Sequence, residues 1–243
     1  MLEINHVVLP SDEQMQFVIE GMRNPKNSWD RSDSDDCDAL HACDRFDRCN
    51  ECKYRTRRIG GNYAIGPNDN TLMTTLAQAG TEHRKYMRMM PVYARITAPL
   101  YWWKEFDTYK VGTVANSCST MHKIAAKEFT LDDFSHEHVG TLPMPNERYD
   151  KTYQDFEWIL NHTIDILNKA RKAYLETKDK NYWWQMIQLL PSSYNQTRNV
   201  MLNYEVLANI YCQRRNHKLD EWHTFCDWIE KLPLSELMTG KEK

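Results

Sequence analysis

The 243-residue sequence contains no uncharged apolar run that approaches the roughly 20 residues a membrane-spanning helix requires. Its opening, MLEINHVVLP, carries an acid where a signal peptide carries base. Together these absences lead to the expectation of a soluble, cytoplasmic protein with no membrane partner. A surplus of positive charge is also missing. The chain sets 31 Lys and Arg against 34 Asp and Glu, a formal net charge of -3, so it lacks the excess cations with which proteins neutralise long stretches of nucleic-acid phosphate. No direct nucleic-acid binding is expected, and any phosphate held should be small and local. Seven cysteines are an odd number, and without a secretory signal a disulfide framework is disfavoured.

What is present is unevenly distributed. Four of the seven cysteines lie in CDALHACDRFDRCNEC, where Cys49 and Cys52 form a CxxC and Cys37, His41 and Cys43 stand just upstream. Tetrahedral zinc accepts such S and N ligands, yet the spacing is not that of a standard two-knuckle ribbon. Two readings stand: structural zinc on Cys37, Cys43, Cys49 and Cys52, or unligated thiols in a loop. The basic cluster Lys53, Arg55, Arg57 and Arg58 follows an acidic run from Asp30 to Asp38 and reads as mutually solvated loop surface. With no period of either kind, the stretch from about 30 to 66 reads as an insert.

Around the insert the patterning is regular. EINHVV reads as a strand, and the following helix is capped by Ser11 with Gln14 three residues on, ending at Gly21 and Pro25. A second helix from Asn68 places Leu72, Leu76 and Ala79 on one face and stops at Gly80. Met89 to Leu100 reads as a strand with Val92, Ala94 and Ile96 on one parity. The rings of Tyr101, Trp102, Trp103, Phe106 and Tyr109 then crowd a short stretch that reads on composition as a buried aromatic helix. Another helix carries Tyr153, Phe156, Leu160, Ile164, Leu167 and Tyr174 at three- and four-residue intervals.

After Leu190-Pro191, a last helix capped by Ser192 or Ser193 is expected to carry Val200, Tyr204, Leu207 and Tyr211. Wound at 3.6 residues per turn it would align Asn199, Asn203 and Arg214 in one stripe, with Asn203 and Arg214 roughly 16 Å apart along the axis, a span suited to a nucleotide. The Arg214 guanidinium offers a planar fork for phosphate or for the edge of a uracil ring. His136 and His138 read as solvated, Cys118 as an unactivated thiol, and Trp183, Trp184 and Trp222 as core or interface rings.

The order GTEH, then ITAPLYWWKEFDTYKVGTVANSCST, then LLPSSYNQTRNVMLNYEVLANIYCQRR resembles the linear order of flavin-dependent thymidylate synthases, the thymidylate synthase complementing protein family. The resemblance covers about two thirds of the chain. It implies an α+β fold with a central, mainly antiparallel sheet and flanking long helices, as a single domain over 1–243 interrupted by the insert. It also implies a homotetramer with FAD as cofactor, NADPH and methylenetetrahydrofolate as co-substrates, and dUMP or a related pyrimidine nucleotide as substrate. Arg214 would bind and polarise the uracil, aided at the substrate by Lys104, Glu105, Ser117 and Ser119. His83, Thr108, Tyr109, Lys110, Asn203 and Asn209 would stand at the flavin.

Departures accompany the matches. The family's Arg-His-Arg is Thr108-Tyr109-Lys110 here, its upstream Arg-Gln pair is Lys104-Glu105, and the basic residue expected two after Asn203 is Glu205. Two functions follow as expectations: flavin-dependent one-carbon transfer to dUMP giving dTMP, or a non-catalytic relative with a zinc-supported interaction surface.

Overall fold

Helix α1 (Asp12–Arg23) begins where the sequence places its cap: the Ser11 side chain accepts from the Gln14 amide and the Gln14 side chain reaches back to the Ser11 amide. It follows strand β1 (Glu3–Val8). Gly21 does not stop α1, which continues to Arg23 and buries Met15, Val18, Ile19 and Met22. The computed structural model describes residues 1–37, 59, 61–140 and 156–241.

Two short strands, β2 (Asp35–Asp36) and β3 (Tyr63–Ala64), pair antiparallel, Asp35 opposite Ala64 and Asp36 opposite Tyr63. This ribbon carries the chain into and out of the segment 38–58, which lies outside the described residues. Its root is built rather than solvated, so part of the acidic run takes a different role from the expected loop surface. Asp12 accepts the Gly61, Asn62 and Tyr63 amides at 3.1, 2.9 and 3.1 Å. Asp33 caps helix α2 (Pro67–Gln78) from outside, accepting the Asn68 and Asp69 amides at 2.9 and 3.1 Å, where the helix dipole favours an anion. Gly66 leaves room for this approach, since a Cβ there would fall 2.2 Å from the Asp33 carbonyl oxygen. The buried face of α2 is Asp69 and Met73 rather than Leu72, Leu76 and Ala79, because the Asp69 carboxylate turns inward to Arg23.

A further strand, β4 (Pro91–Pro99), alternates as expected, burying Val92, Ala94, Ile96 and Ala98. Helix α3 (Leu100–Phe106) follows at once and buries Trp102, Trp103 and Phe106. Then come strand β5 (Val114–Ser117), the one-turn helix α4 (Thr120–Lys123), and the helices α5 (Phe156–Thr177) and α6 (Lys180–Leu189). Strand β6 (Asn195–Asn203) leads directly into helix α7 (Tyr204–Arg214), followed by α8 (Asp220–Lys231) and α9 (Glu236–Thr239). The larger sheet has the order β1-β4-β6-β5, and the architecture is α+β with a mainly antiparallel sheet and long helices.

The expected last helix is thus half strand. Val200 and Leu202 are buried at alternate positions, a two-residue period that the helical spacing of Val200, Tyr204 and Leu207 hides. The cap is Asn203, whose Oδ1 accepts the Val206 amide at 3.0 Å, and not Ser192 or Ser193. An Asn in extended conformation that satisfies an orphan helix amide fixes the boundary. Asn199 and Asn203 consequently lie on β6, and the three-residue helical stripe with Arg214 does not form.

The chain divides into two compact units. The first comprises Met1–Glu3, Ile96–Thr108 and Asn116–Arg198. Its core joins Phe129, Phe134, Ile164, Leu167 and Met186. The same unit holds an aromatic knot in which Trp102 stacks on Phe106 at 5.0 Å and meets Trp103 edge-on at 4.9 Å. The second comprises Ile4–Arg95, Tyr109–Ala115 and Asn199–Lys243. Its buried residues include those of α1 together with Tyr204, Leu207 and Ile210 of α7 and Trp222, Phe225 and Ile229 of α8. No helix among the described residues is long and apolar enough to cross a membrane.

Candidate functional site

In the second unit the end of α7 sets a cation against two aromatic rings. Arg214 Nε donates to the Tyr109 hydroxyl at 2.8 Å, and its guanidinium lies 4.9 Å from the Trp222 ring centroid and 5.7 Å from that of Tyr109. The Tyr109 hydroxyl in turn donates to Gln213 Oε1 at 3.0 Å. Trp222 is fully buried and meets Tyr109 edge-on. Such packing restricts the guanidinium and holds its charge by attraction to the ring faces, at a helix C-terminus where a cation is favoured. The sequence reading of Trp222 as a core ring agrees with its burial, and the structure adds its place beside Arg214. What this arrangement can do chemically is offer a fixed, half-buried positive charge with planar donors.

Asn203, at the other end of α7, spends its amide within the fold: Oδ1 caps the helix and Nδ2 donates to the Gly112 carbonyl at 3.5 Å. Gly112 sits at φ +80°, and a Cβ there would lie 2.7 Å from Asn203 Nδ2. Asn209 Oδ1 accepts from Arg84 Nη2 at 3.0 Å. Arg84 Nε also reaches Glu205 at 3.4 Å, while Arg88 donates to the same carboxylate through Nε and, at 3.2 Å, through Nη2. The cation that the resemblance expects at position 205 is therefore replaced by a carboxylate that draws in two guanidiniums from the segment 84–88. Sequence reasoning passed over Arg84 and Arg88; the only signal is their spacing of four directly after His83. His83 itself is 54% exposed, with Nε2 3.8 Å from Glu82, and Lys110 is exposed.

Burial alone would raise the Glu205 carboxyl, but the Arg88 and Arg84 guanidiniums outweigh it and hold it below the ordinary value of 4.5. A carboxyl depressed in the folded state contributes stability that is fully present above the unfolded value and lost as pH falls through the folded one. Acid titration of wild type and Glu205→Gln is accordingly expected to show wild-type stability declining below about pH 4.5, more steeply than that of the variant; parallel curves contradict the pairing.

In the first unit, Lys104 is exposed on α3 and Glu105 is partly so. The Thr108 hydroxyl donates to the Glu105 carbonyl at 2.7 Å, closing the helix end. Ser117 is exposed on β5, and Ser119 caps α4, accepting the His122 amide at 3.3 Å. Here too an arginine was not foreseen: Arg198 lies 4.2 Å over the Trp103 ring and pairs with Asp107 at 2.7 Å. Of the expected metal ligands, Cys43, Cys49 and Cys52 lie outside the described residues, and Cys37 directly follows β2. Among the described residues no group of three or more His, Cys, Asp or Glu side chains could hold an ion. His136 instead engages the Phe134 carbonyl through Nδ1 at 2.8 Å.

No protein-family model matches the sequence, and no curated protein matches it. Solved structures do. Thymidylate synthase X (ThyX) from Helicobacter pylori with FAD and dUMP superposes with a TM-score of 0.58 and 14% identity, covering 98% of this chain and 97% of that one. The chain has the fold of a flavin-dependent thymidylate synthase. A second Helicobacter pylori ThyX structure, complexed with FAD and dUMP, gives 0.57 and 12% over 98% and 96% of the two chains. The UMP/dUMP methylase PolB from Streptomyces cacaoi, bound with 5-Br dUMP, gives 0.56 and 13% over 99% and 94%.

Given a ThyX-like fold, the residues can be tested against a flavin. The Thr108-Tyr109 pair supplies no cation, and the Tyr109 hydroxyl is already engaged by Arg214 and Gln213. Beside Asn209, by contrast, two guanidiniums face one carboxylate, leaving local positive charge of the kind an anionic cofactor requires. Of the residues that the resemblance places at the flavin, Asn209 is the one that stands beside this charge.

Proposed function

We propose that this protein is a divergent, flavin-dependent enzyme acting on a pyrimidine nucleotide, with dUMP as substrate and dTMP as product. The observation that carries the reading is the ThyX-like fold across 98% of the chain, shared with structures holding FAD and dUMP. FAD, when bound, supplies the hydride chemistry, with NADPH as reductant and methylenetetrahydrofolate as carbon donor. The chain's own residues bind, orient and polarise. Arg214, fixed by Tyr109 and Trp222, binds the pyrimidine and stabilises negative charge on its ring oxygen. Lys104, Glu105, Ser117 and Ser119 contact the nucleotide, while His83, Thr108, Tyr109, Lys110, Asn203 and Asn209 border the flavin, with Asn209 set by Arg84. The assembly is a cytoplasmic homotetramer of one domain per chain, interrupted in sequence by the insert of about 30–66, with zinc as an option at Cys37, Cys43, Cys49 and Cys52.

The test is methyl transfer to dUMP by the purified full-length chain with FAD, NADPH and methylenetetrahydrofolate. Formation of dTMP is expected; binding of neither flavin nor dUMP rejects the reading. A second reading, a non-catalytic relative that keeps the fold, draws support from the internal engagement of Asn203 and Tyr109. Turnover of dUMP excludes it.

A further inference from the structure

A cavity of about 220 Å³ opens in the second unit between α2, α7 and α9, lined among others by Gln78, Arg84, Tyr211, Arg215 and Glu236. It is smaller than the roughly 300–1,000 Å³ of pockets that take drug-sized ligands, so its occupant should be small. Its lining carries two cations, Arg84 and Arg215, against one acid, Glu236. Arg84 is 18% exposed and is held in place by Glu205 at 3.4 Å and Asn209 at 3.0 Å. Those bonds use Nε and one donor of Nη2, and no described residue accepts from its Nη1. Arg88 shares the same carboxylate, so Glu205 does not neutralise Arg84 alone. In the same lining, the Arg215 guanidinium lies 5.9 Å from the Tyr211 ring centroid and has no ion-pair or hydrogen-bond partner among the described residues. Glu236 opposes these two guanidiniums with one carboxylate and is itself unpaired among the described residues.

We propose that this cavity binds a small tetrahedral oxyanion, inorganic phosphate or the phosphate group of a larger molecule, between the guanidiniums of Arg84 and Arg215. Two planar forks with vacant donors match an oxyanion carrying several acceptors, and the pairing of guanidinium with phosphate is among the stronger hydrogen-bonded interactions. Arg84, held by Glu205 and Asn209, is the preorganised half of the site, and Arg215, beside the Tyr211 ring, is its exposed half. The proposal shares Arg84 with the flavin reading but stands on the cavity and its charges, and the displacement arms of the test keep the two distinguishable.

Calorimetric titration of the full chain with inorganic phosphate, at ionic strength held constant with chloride, tests it. Saturable binding is expected in wild type. Arg215→Gln, at an exposed position, should weaken it about tenfold, the scale of removing one charge-assisted hydrogen bond. Glu236→Gln should tighten it, because a like charge is removed. Displacement of phosphate by dUMP or FAD would assign the site to that ligand's phosphate, and independence of both would assign it to free phosphate; either supports the site. Absence of saturable binding in wild type, or Arg215→Gln and Glu236→Gln titrating alike with both variants folded, overturns it.

Discussion

Asp69→Ala is expected to lower the unfolding free energy by about 3–5 kcal/mol, the usual loss when one partner of a buried ion pair is removed. Asp69 is fully buried and Arg23 only 4% exposed, with Nε and Oδ1 2.6 Å apart. The Asp69 carboxylate also takes the Ser32 and Ser34 hydroxyls at 2.8 and 2.6 Å and the Asp33 and Ser34 amides at 3.1 and 3.0 Å. Burial would raise its pKa, but the bonds from Ser34, Ser32 and Arg23 prevail and lower it. Truncation therefore strands a buried guanidinium and four donors together. Denaturant unfolding measures the effect, and the double variant Arg23→Met with Asp69→Ala should recover part of the loss because the uncompensated charge goes too. A single-variant loss below about 1 kcal/mol, the scale of an exposed pair, would contradict the account of this junction.

The second large effect is expected at Arg214. On the proposed function, Arg214→Gln should reduce dUMP turnover by about 100- to 1,000-fold, the scale of removing one preorganised donor that meets developing charge. Arg214→Lys should recover little, because an ammonium has neither the planar fork nor the same fit between rings. Removing the guanidinium from beside Tyr109 and Trp222 also forfeits cation–π attraction, worth about 0.5–2 kcal/mol. Thermal unfolding of the same variants separates that structural part from the kinetic one. Normal turnover in a folded Arg214→Gln protein would show that the guanidinium serves Trp222 and Tyr109 alone.

Much of the fold was legible because local chemistry and burial agree. Ser11 with Gln14 marked a capping box that forms as read, and the alternation of Val92, Ala94 and Ile96 marked β4. The α7 boundary was not legible, since Val200 and Tyr204 satisfy a helical spacing as well as ending a strand and starting a helix. Only the cap at Asn203 decides, and Asn suits a polar helix stripe as well as a helix start. Arg23 and Asp69 escaped for another reason: they are 46 residues apart, and no local period announces a buried pair. The same holds at the site. Arg214 and Tyr109 were each singled out, yet their meeting across 105 positions is a property of the fold. Glu205 departs from the family pattern in sequence, and the fold brings Arg84 and Arg88 to it from 121 and 117 positions away, a pairing that the linear motif does not announce.

The most direct test of the central claim is the visible spectrum of the purified protein titrated with FAD and then with dUMP. The account predicts a saturable perturbation of the flavin bands and a further change when the nucleotide is added, reduced in Arg84→Gln. Flavin bands identical to those of free FAD throughout, with dUMP without effect at millimolar concentration, would contradict it.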